Sequence, residues 1–188
     1  MSLLPFYSYR KHASKVFEQR QIRPFQLVCA NNRWYVIGHD LKRNAIRVFV
    51  LSRIQSPEIQ PGTFKRPKDF RIQEYLKGSF GIFKSDDDFE VVIDLDLWAS
   101  DVMRRRRWHA SQQVTDLPGG EIRVAFRLDN LDEIEPWVLS WGAHPTVVCP
   151  KALIDRVLKA ATELQSRYSK PSKPLSGGGQ AELRLKAN

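Results

Sequence analysis

Cysteine is scarce in this chain. Cys29 and Cys149 are the only two, each in an apolar run and neither in a CxxC pair or beside a histidine cluster. That excludes a disulfide scaffold and leaves zinc without a ligand set. The expectation is two buried, reduced thiols in a cytoplasmic protein. Long apolar runs are missing too: none approaches the roughly 18 residues of a membrane span, and the N-terminal residues have no signal-peptide core. Catalytic signatures are also absent. There is no G-x-S-x-G, no GxxxxGK[ST], no H-E-x-x-H and no acid–base pair set beside a histidine. Leu175-Ser176-Gly177-Gly178-Gly179-Gln180 superficially resembles the signature of transporter-type ATPases, but it has an extra glycine and no phosphate loop to serve. Binding rather than catalysis is expected, with no metal and no cofactor.

What is present suits a globular body. Hydrophobic residues make up 42% and charged residues 27% of 188, enough for a core without staples. The net charge of +9 is unevenly spread. Residues 1–84 hold 16 Lys/Arg against 5 Asp/Glu, residues 85–168 hold 10 against 15, and residues 169–188 hold 4 against 1. The cationic first half points to a polyanionic partner; a merely soluble basic surface is the plainer alternative.

Periodicity divides the chain in two. Ile22–Ala30, Arg33–His39 and Ala45–Ile54 read as strands, with Asn31-Asn32 as a two-residue turn tolerant of positive φ. Pro57, Pro61-Gly62 and Pro67 argue against a regular element over Gln55–Pro67. A short helix is expected over Asp69–Leu76. Asp86-Asp87-Asp88 reads as a solvated linker, because oxygen-ligand metal loops need spaced carboxylates. Beyond it, Phe89–Leu97 alternates as a strand and Trp98–Arg107 suits a helix. Ala110–Thr115 and Glu121–Leu128 form a strand pair about the turn Leu117–Gly120. Asn130 and Glu133 have capping-box spacing for a helix to Ser140. Ala143–Cys149 closes the sheet. The last helix starts at Pro150, with Leu153, Val157, Leu158, Ala161 and Leu164 as its apolar stripe. The fold class is α+β with a β-rich N-terminal module. Its parts are a small β-barrel over 6–84, an α/β sandwich over 85–168 and a disordered tail over 169–188.

Seven segments in order carry a resemblance. Arg23–Leu27, Arg33–Asp40, Arg47–Ile54 and Lys77–Phe83 are similar to the WYL domain of bacterial transcriptional regulators. Trp108-His109-Ala110-Ser111-Gln112, Leu117–Gly120 and Trp137–Gly142 resemble the C-terminal extension found beside it. The likeness covers roughly residues 6–165. It implies an Sm-like or SH3-like barrel followed by a ferredoxin-like extension, usually a homodimer. It also implies a sensor for a negatively charged ligand, a nucleotide or single-stranded nucleic acid. Such proteins carry a winged helix-turn-helix ahead of the barrel. This chain begins near Phe6-Tyr7-Ser8-Tyr9-Arg10, where the barrel starts, so the expectation is either an excised sensor or a stand-alone module, the DNA-binding domain being separate or removed. A protein-interaction module acting on an enzyme or polymerase is the alternative. The pattern is departed from at Val36, where the family's leucine belongs, and at His39, where tyrosine is common.

Arg47 and Arg53 are the leading ligand candidates. Six residues apart on one extended strand, they would share a face about 20 Å apart, and guanidinium forks suit phosphate oxygens. Flanking surface arginines would have the same pattern. Trp34 and Tyr35 point to opposite sides, with Trp34 expected in the core and Tyr35 on the groove. By resemblance, Tyr9 and Arg10 border the same groove. His39 either bonds the ligand or closes its hairpin. Arg104-Arg105-Arg106-Arg107 fans around a helix and mostly meets solvent, with Arg105 and Arg107 able to close the pocket from the second half.

Overall fold

The computed structural model describes residues 6–10 and 17–169; the tail expected to be disordered lies outside them, apart from Ser169. The first sheet contains β1 (Phe6–Arg10), β2 (Phe17–Ala30), β3 (Arg33–Asp40), β4 (Ala45–Val50) and β5 (Ile54–Glu58), in the order β4-β3-β2-β1-β5. All pairs are antiparallel. The long β2 serves two neighbours: Phe17–Gln21 faces β1, and Ile22–Ala30 faces β3. The register slips between Pro24 and Gln26, where a residue without an N–H can interrupt the ladder. Asn31 and Asn32 turn the first hairpin with φ of 48° and 57°, as a two-residue turn between right-twisted strands requires.

The sheet is not a closed barrel. Its edge strands β4 and β5 are joined by a three-residue helical turn, Leu51–Arg53, and do not pair with each other. β5 itself corrects the expectation of irregular chain over Gln55–Pro67. It is an edge strand, so Pro57 costs no ladder bond needed by a neighbour. Both faces are packed. Tyr35, Ile37 and Val50 meet Phe25, Phe64, Phe70 and Ile82 on one side. Ile22, Val36 and Phe49 meet Tyr9 and Ile54 on the other. Near this second cluster the buried Arg20 is ion-paired with Glu18 and, at 3.3 Å, with the buried Asp40. Asp40 also accepts from Lys42 N at 3.0 Å, so a charge pair that would be costly alone is well bonded.

The second sheet runs β7-β8-β6-β9. It is built from β6 (Phe89–Leu95), β7 (Gln113–Asp116), β8 (Ile122–Leu128) and β9 (Pro145–Cys149), all antiparallel. Val91, Ile93 and Leu95 alternate inward with Ile122, Val124, Phe126 and Leu128. Helices α2 (Leu97–Arg104), α3 (Ile134–Leu139) and α4 (Lys151–Tyr168) add Ala99, Met103, Ile134, Val138 and Leu153 to that core. Asp96 caps α2 by accepting from Ala99 N at 3.0 Å. The stripe expected along α4 is half used. Leu153 is buried and Val157 packs against the core, but Leu158 and Leu164 are exposed. The thiols also differ from expectation: Cys29 is exposed at a hairpin tip and Cys149 is half-buried, both free. No helix among the described residues is long and apolar enough to cross a membrane.

Between the sheets lie α1 (Ile72–Tyr75) and a strap, Lys77–Phe83. Phe80 packs against the second core, while Ile82 belongs to the first. Glu133 does not form the expected capping box. Its carboxylate accepts from Gly81 N at 3.0 Å, Ile82 N at 2.9 Å and Phe83 N at 3.0 Å. Asn130 reaches the strap as well, donating to Phe83 O at 2.6 Å. A Cβ on Gly81 would sit 2.4 Å from Glu133 Oε1, so a side chain there would push the carboxylate away from the strap amides. Glu133→Gln is expected to lower unfolding free energy by about 1–3 kcal/mol, since its amide nitrogen cannot accept from the strap. Urea denaturation measures this. Equal midpoints for the two proteins would contradict the clasp.

Candidate ligand-binding groove

Two adjoining hollows share Tyr75 and Lys84. The smaller, about 160 Å³, is lined by Ile46, Arg47, Val48, Tyr75, Phe83 and Lys84. The larger, about 520 Å³, opens between the sheets, where Lys77, Gly78 and Tyr75 face Ala110, Ser111, Arg127 and Asp129. Tyr75 anchors both by donating its hydroxyl to Ile46 O at 3.0 Å. Burial raises the Tyr75 pKa above 10.0, the Arg47 charge opposes the rise, and Asp129 and Asp86 add to it. Lys84 Nζ lies 5.2 Å from the same ring's centroid, a cation–π distance. Arg47, Lys77 and Lys84 make no ion pair with any described residue, whereas Arg127 is paired with Asp88. Three cations without an ion pair among the described residues therefore border the two adjoining hollows, Arg47 the smaller, Lys77 the larger and Lys84 both.

Arg47 is the sequence-predicted residue that lines this groove. It stands on β4 opposite Gly38, so no side chain on the neighbouring strand crowds it. Arg53 does not share its strand: β4 stops at Val50, and Arg53 is half-buried in the turn that follows. The same-face argument fails for that reason. Tyr35 is a correction as well. It is 5% exposed and packs edge-on against Phe83, while Trp34 is 53% exposed. Tyr9 is half-buried against Phe49, and its hydroxyl accepts from Val50 N at 3.3 Å. Arg10 pairs in β1 through its backbone; its side chain lies outside the described residues. His39 is half-buried on β3, and its Nδ1 has no hydrogen-bond partner among the described residues.

The arginine run is not one helical fan, since α2 ends at Arg104. Arg104 pairs with Asp116 at 2.5 Å and Arg105 with Asp101 at 3.0 Å. Arg106 stacks 3.9 Å above Trp108, and Arg107 donates to Ala110 O at 2.5 Å. Arg105 and Arg107 do share a hollow of about 270 Å³, but with Arg104, Arg106 and Gln112 rather than with Arg47. Sequence reasoning missed Tyr75, Lys77, Lys84, Ser111, Arg127 and Asp129. The charge asymmetry could have flagged the two lysines, but no periodicity announces a groove between two separately folded sheets.

His109 joins the second half to the strap. Its Nδ1 is 2.7 Å from Ser111 Oγ. Burial lowers its pKa below 6.5, against hydrogen bonding to the Lys77 and Ser79 backbone and the charge of Asp129, while Arg107 assists the lowering. The unfolded chain therefore binds the extra proton more readily. Stability is fully present above pH 6.5 and declines as pH falls from there toward the depressed folded value. Urea unfolding from pH 8 to pH 5 should show a larger loss for the parent than for His109→Gln. Parallel curves would refute it.

Comparison with known proteins places this geometry. The WYL domain pattern matches residues 7–59 and the WCX domain pattern matches residues 87–165. Protein PafB of Mycobacterium bovis is 42% identical over 155 residues, covering 81% of this chain and 46% of that protein. Protein PafB of Mycobacterium leprae is 27% identical over 159 residues, again covering 81% and 46%. The chain thus spans about half the length of the curated relatives it matches. A crystal structure of a CRISPR Cas-related protein aligns with a TM-score of 0.56 at 14% identity, covering 89% of this chain and 47% of that one. It shows likeness of fold alone.

Proposed function

Because the chain belongs to the WYL-domain family, with a WYL domain over residues 7–59 and a WCX domain over residues 87–165, we propose that it is the ligand-sensing part of a transcriptional regulator. It binds a phosphate-bearing ligand, single-stranded nucleic acid or a nucleotide, and performs no catalysis. The reading rests on Arg47, Lys77 and Lys84, three cations that make no ion pair with a described residue and that line adjoining hollows. Phosphate oxygens suit both the guanidinium fork and the ammonium groups. The first sheet is taken as an Sm-like barrel left open between β4 and β5, and the order β7-β8-β6-β9 with α2 and α3 as crossovers supports a ferredoxin-like second half. The regulator acts as a homodimer in the cytoplasm.

Fluorescence anisotropy with short single-stranded DNA and RNA at several salt concentrations tests the groove. Log K should fall linearly with log salt, at about −0.7 per neutralised phosphate. Arg47→Ala and Lys84→Ala should each weaken binding and flatten that slope by about 0.7. Binding indifferent to both substitutions would overturn the assignment and favour a protein partner.

A further inference from the structure

The larger hollow is more than an extension of the phosphate groove. At about 520 Å³ it falls within the usual range of small-ligand sites, about 300–1,000 Å³. The smaller hollow beside Arg47, about 160 Å³, is sized for a compact charged group. Their linings differ in the same sense. The smaller has Arg47 and Lys84 and no carboxylate. The larger is also lined by Lys77, Lys84 and Arg127, but it alone adds carboxylates, Glu74 on α1 and Asp129 just after β8, beside Gly78, Ala110 and the Tyr75 ring.

A carboxylate is the wrong neighbour for a phosphate and the right one for an N–H donor. Asp129 has spare accepting capacity: Oδ1 receives Asn130 Nδ2 at 2.7 Å, and Oδ2 has only a long 3.4 Å contact from Ser79 Oγ. Its place is fixed, since its own N–H donates to Gly78 O at 2.8 Å and a Cβ on Gly78 would approach its side chain to 3.1 Å. Glu74 makes no ion pair with a described residue although Lys77 lines the same hollow. Ionised carboxylates accept and never donate.

We propose that the interdomain hollow is a nucleobase subsite selective for bases with an exocyclic amine, which Asp129 and Glu74 accept, while the phosphate of the same nucleotide lies at Arg47 and Lys84. Carboxylates read cytosine through its N4 amine in this way. The inference rests on the anionic-ligand reading above and adds that the ligand is recognised by base. Uracil places an acceptor oxygen where cytosine has the amine, so it would set oxygen against carboxylate.

Anisotropy titrations with oligodeoxycytidylate and oligodeoxyuridylate of equal length, at one salt concentration, separate the two claims. The cytidylate is expected to bind about tenfold tighter, one hydrogen bond to a charged group gained and one repulsion avoided. Glu74→Gln and Asp129→Asn together should bring the ratio within about twofold and leave the salt slope unchanged. Glu74→Gln alone, at an exposed site, should narrow it without risk to the fold. Equal affinities in the parent protein, with Arg47→Ala still weakening both, would overturn the base subsite and leave the phosphate groove standing. A ratio unmoved by either carboxylate variant would also overturn it. Failure of both oligonucleotides to bind would remove both readings.

Discussion

Three backbone N–H groups, from Gly81, Ile82 and Phe83, converge on the carboxylate of Glu133, and the relation between the two sheets depends on that contact. Successive amides make an anion-binding concavity, and bonds to a charged acceptor are roughly twice as strong as neutral ones. The strap bends between Phe80 and Ile82, so that residues two apart, which a straight strand would send to one face, enter different cores. Fixing its backbone fixes both insertions. Apolar burial alone would permit the strap to slide; the carboxylate sets its register.

The groove inherits its geometry from this clasp. Lys77 and Lys84 flank the strap at its two ends, so neither is placed until the amides between them are held. On the first sheet, the Tyr75 hydroxyl bonds Ile46 O, one residue from Arg47. On the second, Asp129 bonds Gly78 through its backbone, and Ser111 Oγ accepts from Arg127 N at 2.8 Å. The hollow is a by-product of two cores joined by a rigid strap, which is why its lining comes from four separate stretches of chain.

Local patterns in the sequence reached the hairpin at Asn31-Asn32, the alternating strands β6 and β8, and Arg47 as an exposed base on β4. They failed where the answer depended on what covers a face. Tyr35 and Trp34 were indistinguishable by alternation, because both faces of the first sheet are packed. Tyr35 is the buried one since Phe64, Phe70 and Ile82, distant in sequence, close over its side. Trp34 sits opposite Cys29 at the hairpin tip, beyond the reach of the opposite cluster. Asn130 and Glu133 had the spacing of a cap, yet Glu133 answers to the amides at 81–83, some fifty residues back. Arg53 was misplaced because a three-residue turn breaks an apolar run that reads as continuous strand.

Charge shows most clearly why composition predicts a partner but not a site. In residues 85–168 acids outnumber bases, 15 to 10, and most of the arginines find one: Arg104, Arg105, Arg123, Arg127 and Arg156 all have carboxylate partners. The densest basic run in the sequence is therefore largely satisfied at home. In residues 1–84 the ratio is 16 to 5, and the buried Arg20 alone takes two of those acids, Glu18 and Asp40. Unpaired cations in the first half are a matter of arithmetic. Which of them matter is decided by shape, because an exposed charge is screened within about a Debye length, whereas charges around a concavity act together in a poorer solvent. Arg47, Lys77 and Lys84 meet that condition through Tyr75 and the strap, not through their spacing in the chain.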